Sequence, residues 1–110
     1  MYFLCLLLLV ILQGEQLQAK EQTCIASVYS IKSNWGTKTT SGIPLNDRAM
    51  TAAHKSIKFG HKVRVTHKDQ TIFVRITDRG PFVKGRCIDL SVAAGKALGC
   101  KSTCKVTIED

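Results

Sequence analysis

Apolar and polar side chains alternate most regularly between Thr71 and Asp78, which predicts a strand with one buried face. Ile72, Val74 and Ile76 are predicted to lie on one side of this strand, and Phe73, Arg75 and Thr77 on the other. The following Gly80-Pro81 cannot continue a strand ladder. Asp78 is therefore predicted to lie at the end of this strand.

A second alternating stretch, Lys62 to Thr66, precedes the first one and places Val63 and Val65 inward. The polar residues 67–70 separate the two stretches, so the pair is predicted to form a β-hairpin. Weaker alternation at 23–29 and 105–108 predicts a first and a last strand.

One helix is predicted after Asp89, because the apolar residues of 91–98 recur at helical spacing. Asp89 then lies at a strand-to-helix junction, and either Ser91 or Asp89 is expected to cap the helix. Residues 30–47 are rich in Ser, Asn, Gly and Thr and predict a long loop. Short strands, long loops and a single helix indicate a mainly β protein, a small closed β-barrel.

The first nineteen residues are predicted to be an export signal. The apolar run from Tyr2 to Leu12 is too short for the roughly 20 residues that a membrane-spanning helix needs, and Ala19 is a suitable cleavage residue. Residues 20–110 are then one small domain, located in the periplasm or outside the cell, with no stable membrane insertion after cleavage.

The net charge of the chain favours some classes of binding partner over others. All sixteen Lys and Arg and seven of the eight acidic residues follow residue 19, so the predicted mature chain has a net charge of +9. For an exported chain this field favours a wall polymer, anionic lipid or matrix rather than nucleic acid. The alternative is that the lysines simply keep a small domain soluble.

Four cysteines remain after the predicted signal: Cys24, Cys87, Cys100 and Cys104. An even number in a short exported chain indicates two disulfides, with three possible pairings. A zinc site is the competing interpretation, but there is no Cys-x-x-Cys and no His between Cys87 and Cys104. We therefore expect no metal and no cofactor.

Three side chains are candidates for chemistry: Asp78, Asp89 and His54. Each has a structural alternative, since Asp at strand ends commonly caps backbone donors and an isolated His is commonly structural. Trp35 either closes one end of the core or stacks on a sugar ring.

Five ordered blocks resemble the rare lipoprotein A (RlpA) family. They are WGTKTTSG (35–42), AMTAAH (49–54), FGHKVRVT (59–66), VRITDRGPF (74–82) and GRCIDLS (85–91). The resemblance covers about residues 25–108.

This resemblance implies a six-stranded double-psi β-barrel with one short helix, related to expansins and MltA-type lytic transglycosylases. It implies peptidoglycan or another wall polysaccharide as substrate, and cleavage of MurNAc–GlcNAc bonds with formation of 1,6-anhydro ends. Asp89 maps to the general acid/base, Asp78 to a neighbouring carboxylate and His54 to a group that orients a carboxylate or the sugar. The candidate substrate-binding residues are Trp35, Arg79, Thr51 and Asn46.

The chain departs from the family pattern at Ile43 and Asn46, where active members carry Glu and Asp. The first alternative is therefore a non-catalytic, expansin-like module that binds wall polysaccharide. The second is a secreted signalling or inhibitory barrel. A monomer is expected in each case.

Overall fold

The computed structural model describes residues 21–29, 39–43 and 46–110. Within these residues there are six strands and one helix. They are β1 (Glu21–Val28), β2 (Thr51–His54), β3 (Lys62–His67), β4 (Gln70–Asp78), β5 (Arg86–Leu90), α1 (Val92–Leu98) and β6 (Thr103–Glu109). The predicted signal segment and Trp35 lie outside the described residues.

The strands close into a barrel in the order β1-β5-β2-β4-β3-β6. Two of the pairings are parallel, β1 with β5 and β2 with β4, and the others are antiparallel. The predicted hairpin is confirmed as β3 and β4, and the mainly β, six-stranded barrel with one helix is confirmed as well.

The barrel interior holds the core, and it follows the predicted alternation along β3 and β4. Val63, Val65, Val74 and Ile76 are almost completely buried. Thr77 was predicted on the side opposite Ile76, but both residues are buried, Thr77 at 2% exposure and Ile76 at 0%. Ala52 pairs with Ile76 and Ala53 with Asp78, so Thr77 is the extra residue of a β-bulge, and a bulge reverses the alternation beyond it.

The helix α1 begins after Ser91, which settles the choice between the two predicted caps. The Ser91 hydroxyl accepts a hydrogen bond from Ala94 N at 3.2 Å and donates one to Ala49 O at 2.6 Å. The helix ends at Gly99, whose φ of 81° lies in the left-handed region that favours glycine. These caps fix where β5 ends and therefore where Asp89 lies.

Two disulfides join Cys24 to Cys87 and Cys100 to Cys104. The first connects β1 with β5 across 63 positions, and the second closes the turn between α1 and β6. The structure thereby selects one of the three pairings that the sequence left open.

Candidate functional site

Asp89 lies on β5, between β1 on one side and β2 on the other. It pairs with Ser27 of β1 and with Ala53 of β2. The Ser27 hydroxyl donates a hydrogen bond of 2.9 Å to Asp89 Oδ1. Since paired residues project from the same face of a sheet, these three residues share one face.

Asp78 ends β4 and joins the same face through Ala53, which pairs with Asp78 on one side and with Asp89 on the other. The two aspartates are therefore separated by one strand, or about 10 Å between their backbones at the usual strand spacing. Asp78 Oδ1 accepts hydrogen bonds from Thr40 N at 3.0 Å, from the Thr40 hydroxyl and from Arg79 N at 2.9 Å. These donors hold Asp78 in place.

The pKa of the Asp89 carboxyl is raised above its ordinary value, chiefly because the group is partly buried. The hydrogen bond from Ser27 and the charge of Arg86 lower this pKa, and the negative charge of Asp78 raises it. An aspartate with a raised pKa keeps its proton to higher pH, which suits a group that must first donate a proton and then accept one.

Beside the carboxylates lie the hydroxyls of Tyr29, Thr51 and Thr77, of which the sequence singled out only Thr51. Burial raises the pKa of the Tyr29 phenol, and the charges of Asp89 and Asp78 raise it further, so the phenol stays neutral. Thr51 and Thr77 lie close enough to lower this pKa. Neither contact has hydrogen-bond geometry, and the hydroxyls of Tyr29 and Thr77 lack a hydrogen-bond partner among the residues described.

Ser27 and Tyr29 could have been identified as site residues from their positions along β1 and directly after it. The two residues are two apart and so face the same side, and Tyr29 N donates to Leu90 O at 2.8 Å, which continues the pairing with β5. Both side chains were predicted only as parts of a first strand. Their relation to Asp89 depends on a parallel pairing between segments 62 residues apart.

His54 does not join the carboxylates. It pairs with Ile88, a barrel-interior residue, and lies one position beyond Ala53, so its side chain projects from the opposite face of β2. There it borders a separate cavity of about 380 Å³ together with Glu21 and Asp110.

The hydrogen bonds of His54 indicate a structural role. Its Nδ1 accepts from Ser56 N and Ile57 N, both at 3.1 Å. An accepting Nδ1 places the proton of the neutral ring on Nε2. Burial lowers the pKa of His54, and the positive charge of Arg79 lowers it further. The imidazole thus stays neutral and fastens the turn after β2.

Arg79 makes its polar and ring contacts within the protein. Its guanidinium donates to His54 O at 3.2 Å and to Ile57 O at 2.8 Å, and it lies 3.9 Å from the centre of the Phe59 ring. These contacts hold the connection between β2 and β3 against the segment that follows Asp78.

The other candidate binding residues lie around this face. Thr51 shares the face of Ala53, two positions away on β2, and approaches Tyr29. Asn46 is exposed, and its Oδ1 accepts from Arg48 N at 2.8 Å, which stabilises a turn. Ile43, where the family pattern has an acid, is 47% exposed.

Neither a metal centre nor a membrane span appears in the described part of the chain. No group of three or more His, Cys, Asp or Glu has an arrangement that could hold a metal ion. No helix there has the length and apolar character needed to cross a membrane.

Comparison with solved structures supports the fold. A papain inhibitor from Streptomyces superimposes with a TM-score of 0.65 at 19% identity, covering 82% of this chain and 93% of the inhibitor. A variant of the Clavibacter michiganensis expansin, solved in complex with cellohexaose, superimposes with a TM-score of 0.62 at 22% identity, covering 81% of this chain and 49% of the expansin.

Curated relatives are more similar in sequence. The endolytic peptidoglycan transglycosylase RlpA of Pasteurella multocida is 51% identical over 77 residues, which are 68% of this chain and 26% of the relative. The RlpA protein of Haemophilus influenzae is 41% identical over 88 residues, which are 78% of this chain and 30% of the relative. The chain thus spans about a quarter to a third of the length of these relatives.

A family model described as lytic transglycolase matches residues 21–109, which include every strand of the barrel and both aspartates. The match to the model, the closed barrel and the similarity to RlpA proteins agree with one another. The chain belongs to the lytic transglycolase family, with an RlpA-like double-psi β-barrel.

Proposed function

We propose that this chain is an exported lytic transglycosylase that cleaves MurNAc–GlcNAc bonds of peptidoglycan and leaves 1,6-anhydro ends. The observation that supports this proposal most directly is the position of Asp89. It is a partly buried carboxyl with a raised pKa, and a second carboxylate lies on the same face of the barrel. The names of the RlpA relatives give the same reaction class.

In the proposed reaction Asp89 acts twice. As an acid it gives its proton to the glycosidic oxygen while the bond from that oxygen to C1 of MurNAc breaks. As a carboxylate it then takes the proton of the MurNAc 6-hydroxyl while O6 bonds to C1. One residue both donates and accepts the proton, so the pair of catalytic carboxylates found in ordinary glycosidases is not required.

The neighbouring residues set the properties of Asp89. The charge of Asp78 helps to keep the proton on Asp89, and the Ser27 hydroxyl fixes the orientation of its Oδ1. Thr51 and Asn46 remain candidates for contact with the sugar. We assign His54 and Arg79 to positioning the β2–β3 connection, because their polar groups are engaged there.

The test is digestion of purified sacculi followed by mass spectrometry of the released fragments. The wild-type protein should release anhydro-muropeptides, and Asp89→Asn should release none. Asp69→Asn is the matched control, because Asp69 lies in the exposed β3–β4 turn. This variant should release the same fragments as the wild type. Equal release by Asp89→Asn and wild type would contradict the assignment, and absence of anhydro ends from the wild-type digest would contradict the reaction.

A second function, polysaccharide binding without cleavage, is favoured by one observation. Ile43 and Asn46 stand where active members carry acids, so a contribution from those acids is missing. The similar expansin variant was solved in complex with cellohexaose, so a protein that contains a barrel of this fold binds a glucan. Retention of the protein on intact sacculi without release of fragments would support this function over the first.

The proposal includes a location and a state of assembly. Action on wall glycan places the protein in the periplasm or outside the cell, and we propose that it acts there as a monomer. Size-exclusion chromatography with light scattering would test the monomer directly.

A further inference from the structure

Phe82 is the most exposed of the large apolar side chains in the described residues, at 80%. The next residue, Val83, is 54% exposed. An aromatic ring left in water contributes little to the core. The exposure of Phe82 is therefore not explained by a contribution to the stability of the fold.

The ring is held close to the proposed site. Asp78, Gly80 and Phe82 follow one another in the segment that leaves β4. Gly80 has a φ of 122°, and a Cβ built on it would lie 3.5 Å from Phe82 Cε2. The ring thus packs against Gly80, whose Cα is at most about 7 Å from that of Asp78.

Phe73, the other highly exposed phenylalanine, is different. It projects from the outer surface of β4 and is 50% exposed. Lys62 Nζ lies 6.0 Å and the Arg64 guanidinium carbon 5.8 Å from the centre of its ring. Cations therefore already occupy the surroundings of Phe73, through interactions that favour the aromatic face.

We infer that Phe82 is a stacking platform for a pyranose ring of the glycan that reaches Asp78 and Asp89. The C–H face of a sugar is apolar and carries partial positive charge, which matches the negative face of an aromatic ring. A sugar at Phe82 would continue along the surface toward the two carboxylates. This inference rests on the proposed polysaccharide substrate, but it concerns binding and does not depend on cleavage.

The test measures binding to insoluble peptidoglycan in an Asp89→Asn background, so that no substrate is consumed. Phe82→Ala should weaken binding about tenfold, which corresponds to about 1.4 kcal/mol, and Phe82→Trp should restore it. The matched control Phe73→Ala should bind within twofold of the parent protein. Because the Phe82 ring is 80% exposed, Phe82→Ala and Phe82→Trp should unfold at the same temperature as the parent, so a loss of binding would not be a loss of folding.

The outcomes separate the inference from the proposed function. If Phe82→Ala binds as tightly as the parent, or if Phe73→Ala weakens binding equally, the inference is overturned while cleavage is unaffected. If the wild-type protein binds glycan through Phe82 but releases no anhydro ends, the inference stands and the proposed reaction fails. If neither the parent nor the wild-type protein binds peptidoglycan, both are overturned.

Discussion

The two disulfides should contribute unequally to stability, because they close loops of very different length. Cys24 and Cys87 are 63 positions apart, whereas Cys100 and Cys104 are four apart. In the chain-entropy description a cross-link stabilises the folded state by restricting the unfolded chain, and the effect grows with the logarithm of loop length. It amounts to about 4 kcal/mol for the long loop and about 2 kcal/mol for the short one.

Apart from loop length, the two disulfides have similar surroundings. Each bridge has one buried cysteine, Cys87 or Cys100, at 4% exposure, and one partly buried partner. Replacing both members of a pair by alanine therefore removes similar contacts in the two variants. The difference of about 2 kcal/mol between them reports mainly on loop length.

The assay is guanidinium unfolding of Cys24→Ala/Cys87→Ala and Cys100→Ala/Cys104→Ala, followed by far-ultraviolet circular dichroism. Small domains have unfolding free energies of about 5 to 15 kcal/mol, so the first variant should lose a large share of its stability. Fully reduced wild-type protein serves as the control for the sum of both effects. An equal or larger loss in the Cys100→Ala/Cys104→Ala variant would refute the loop-length reasoning.

Two further predictions concern the polar groups of the site. Because the folded-state pKa of Asp89 is raised, the contribution of this residue to stability is fully present below the unfolded pKa of about 3.9 and is lost as the pH rises through the folded-state pKa. Asp89→Asn should therefore unfold at higher denaturant concentration than wild type at pH 7 and at the same concentration at pH 3, and a less stable variant at pH 7 would contradict this. Thr77→Val should leave the unfolding free energy unchanged or raise it by about 1 kcal/mol, since it removes a buried hydroxyl without a partner; a loss above about 1 kcal/mol in the same assay would show that this hydroxyl is satisfied.

Local patterns predicted the parts of the fold that depend on neighbouring residues. The β3–β4 hairpin follows from alternation that is visible over a few positions, and the helix cap was limited to Ser91 or Asp89, of which the structure shows Ser91. The same patterns placed Asp78 at a strand end and Asp89 before the helix, as observed. The pattern of short strands, long loops and one helix also indicated a small closed β-barrel, and resemblance to a family supplied its six-stranded, double-psi topology.

Features that depend on distant pairing could not be predicted from local patterns. Strict alternation put Thr77 on the side opposite Ile76, and it missed the burial of Thr77 because the bulge there arises from the pairing of β4 with β2. The four residues of β2 form a strand too short for alternation to show, and so the opposite facing of Ala53 and His54 was hidden. The disulfide pairing was open for the same reason, since it depends on β1 lying beside β5.

Ala53 explains how two carboxylates far apart in sequence come to share one face. β2 lies between β5 and β4, antiparallel to the first and parallel to the second, so its single residue Ala53 is the neighbour of both Asp89 and Asp78. Ala53 itself is only 5% exposed. The raised pKa of Asp89 has burial as its chief cause, and the charge of Asp78 adds to it. The barrel topology, more than any motif, thus brings the proposed acid to the same face as its charged neighbour.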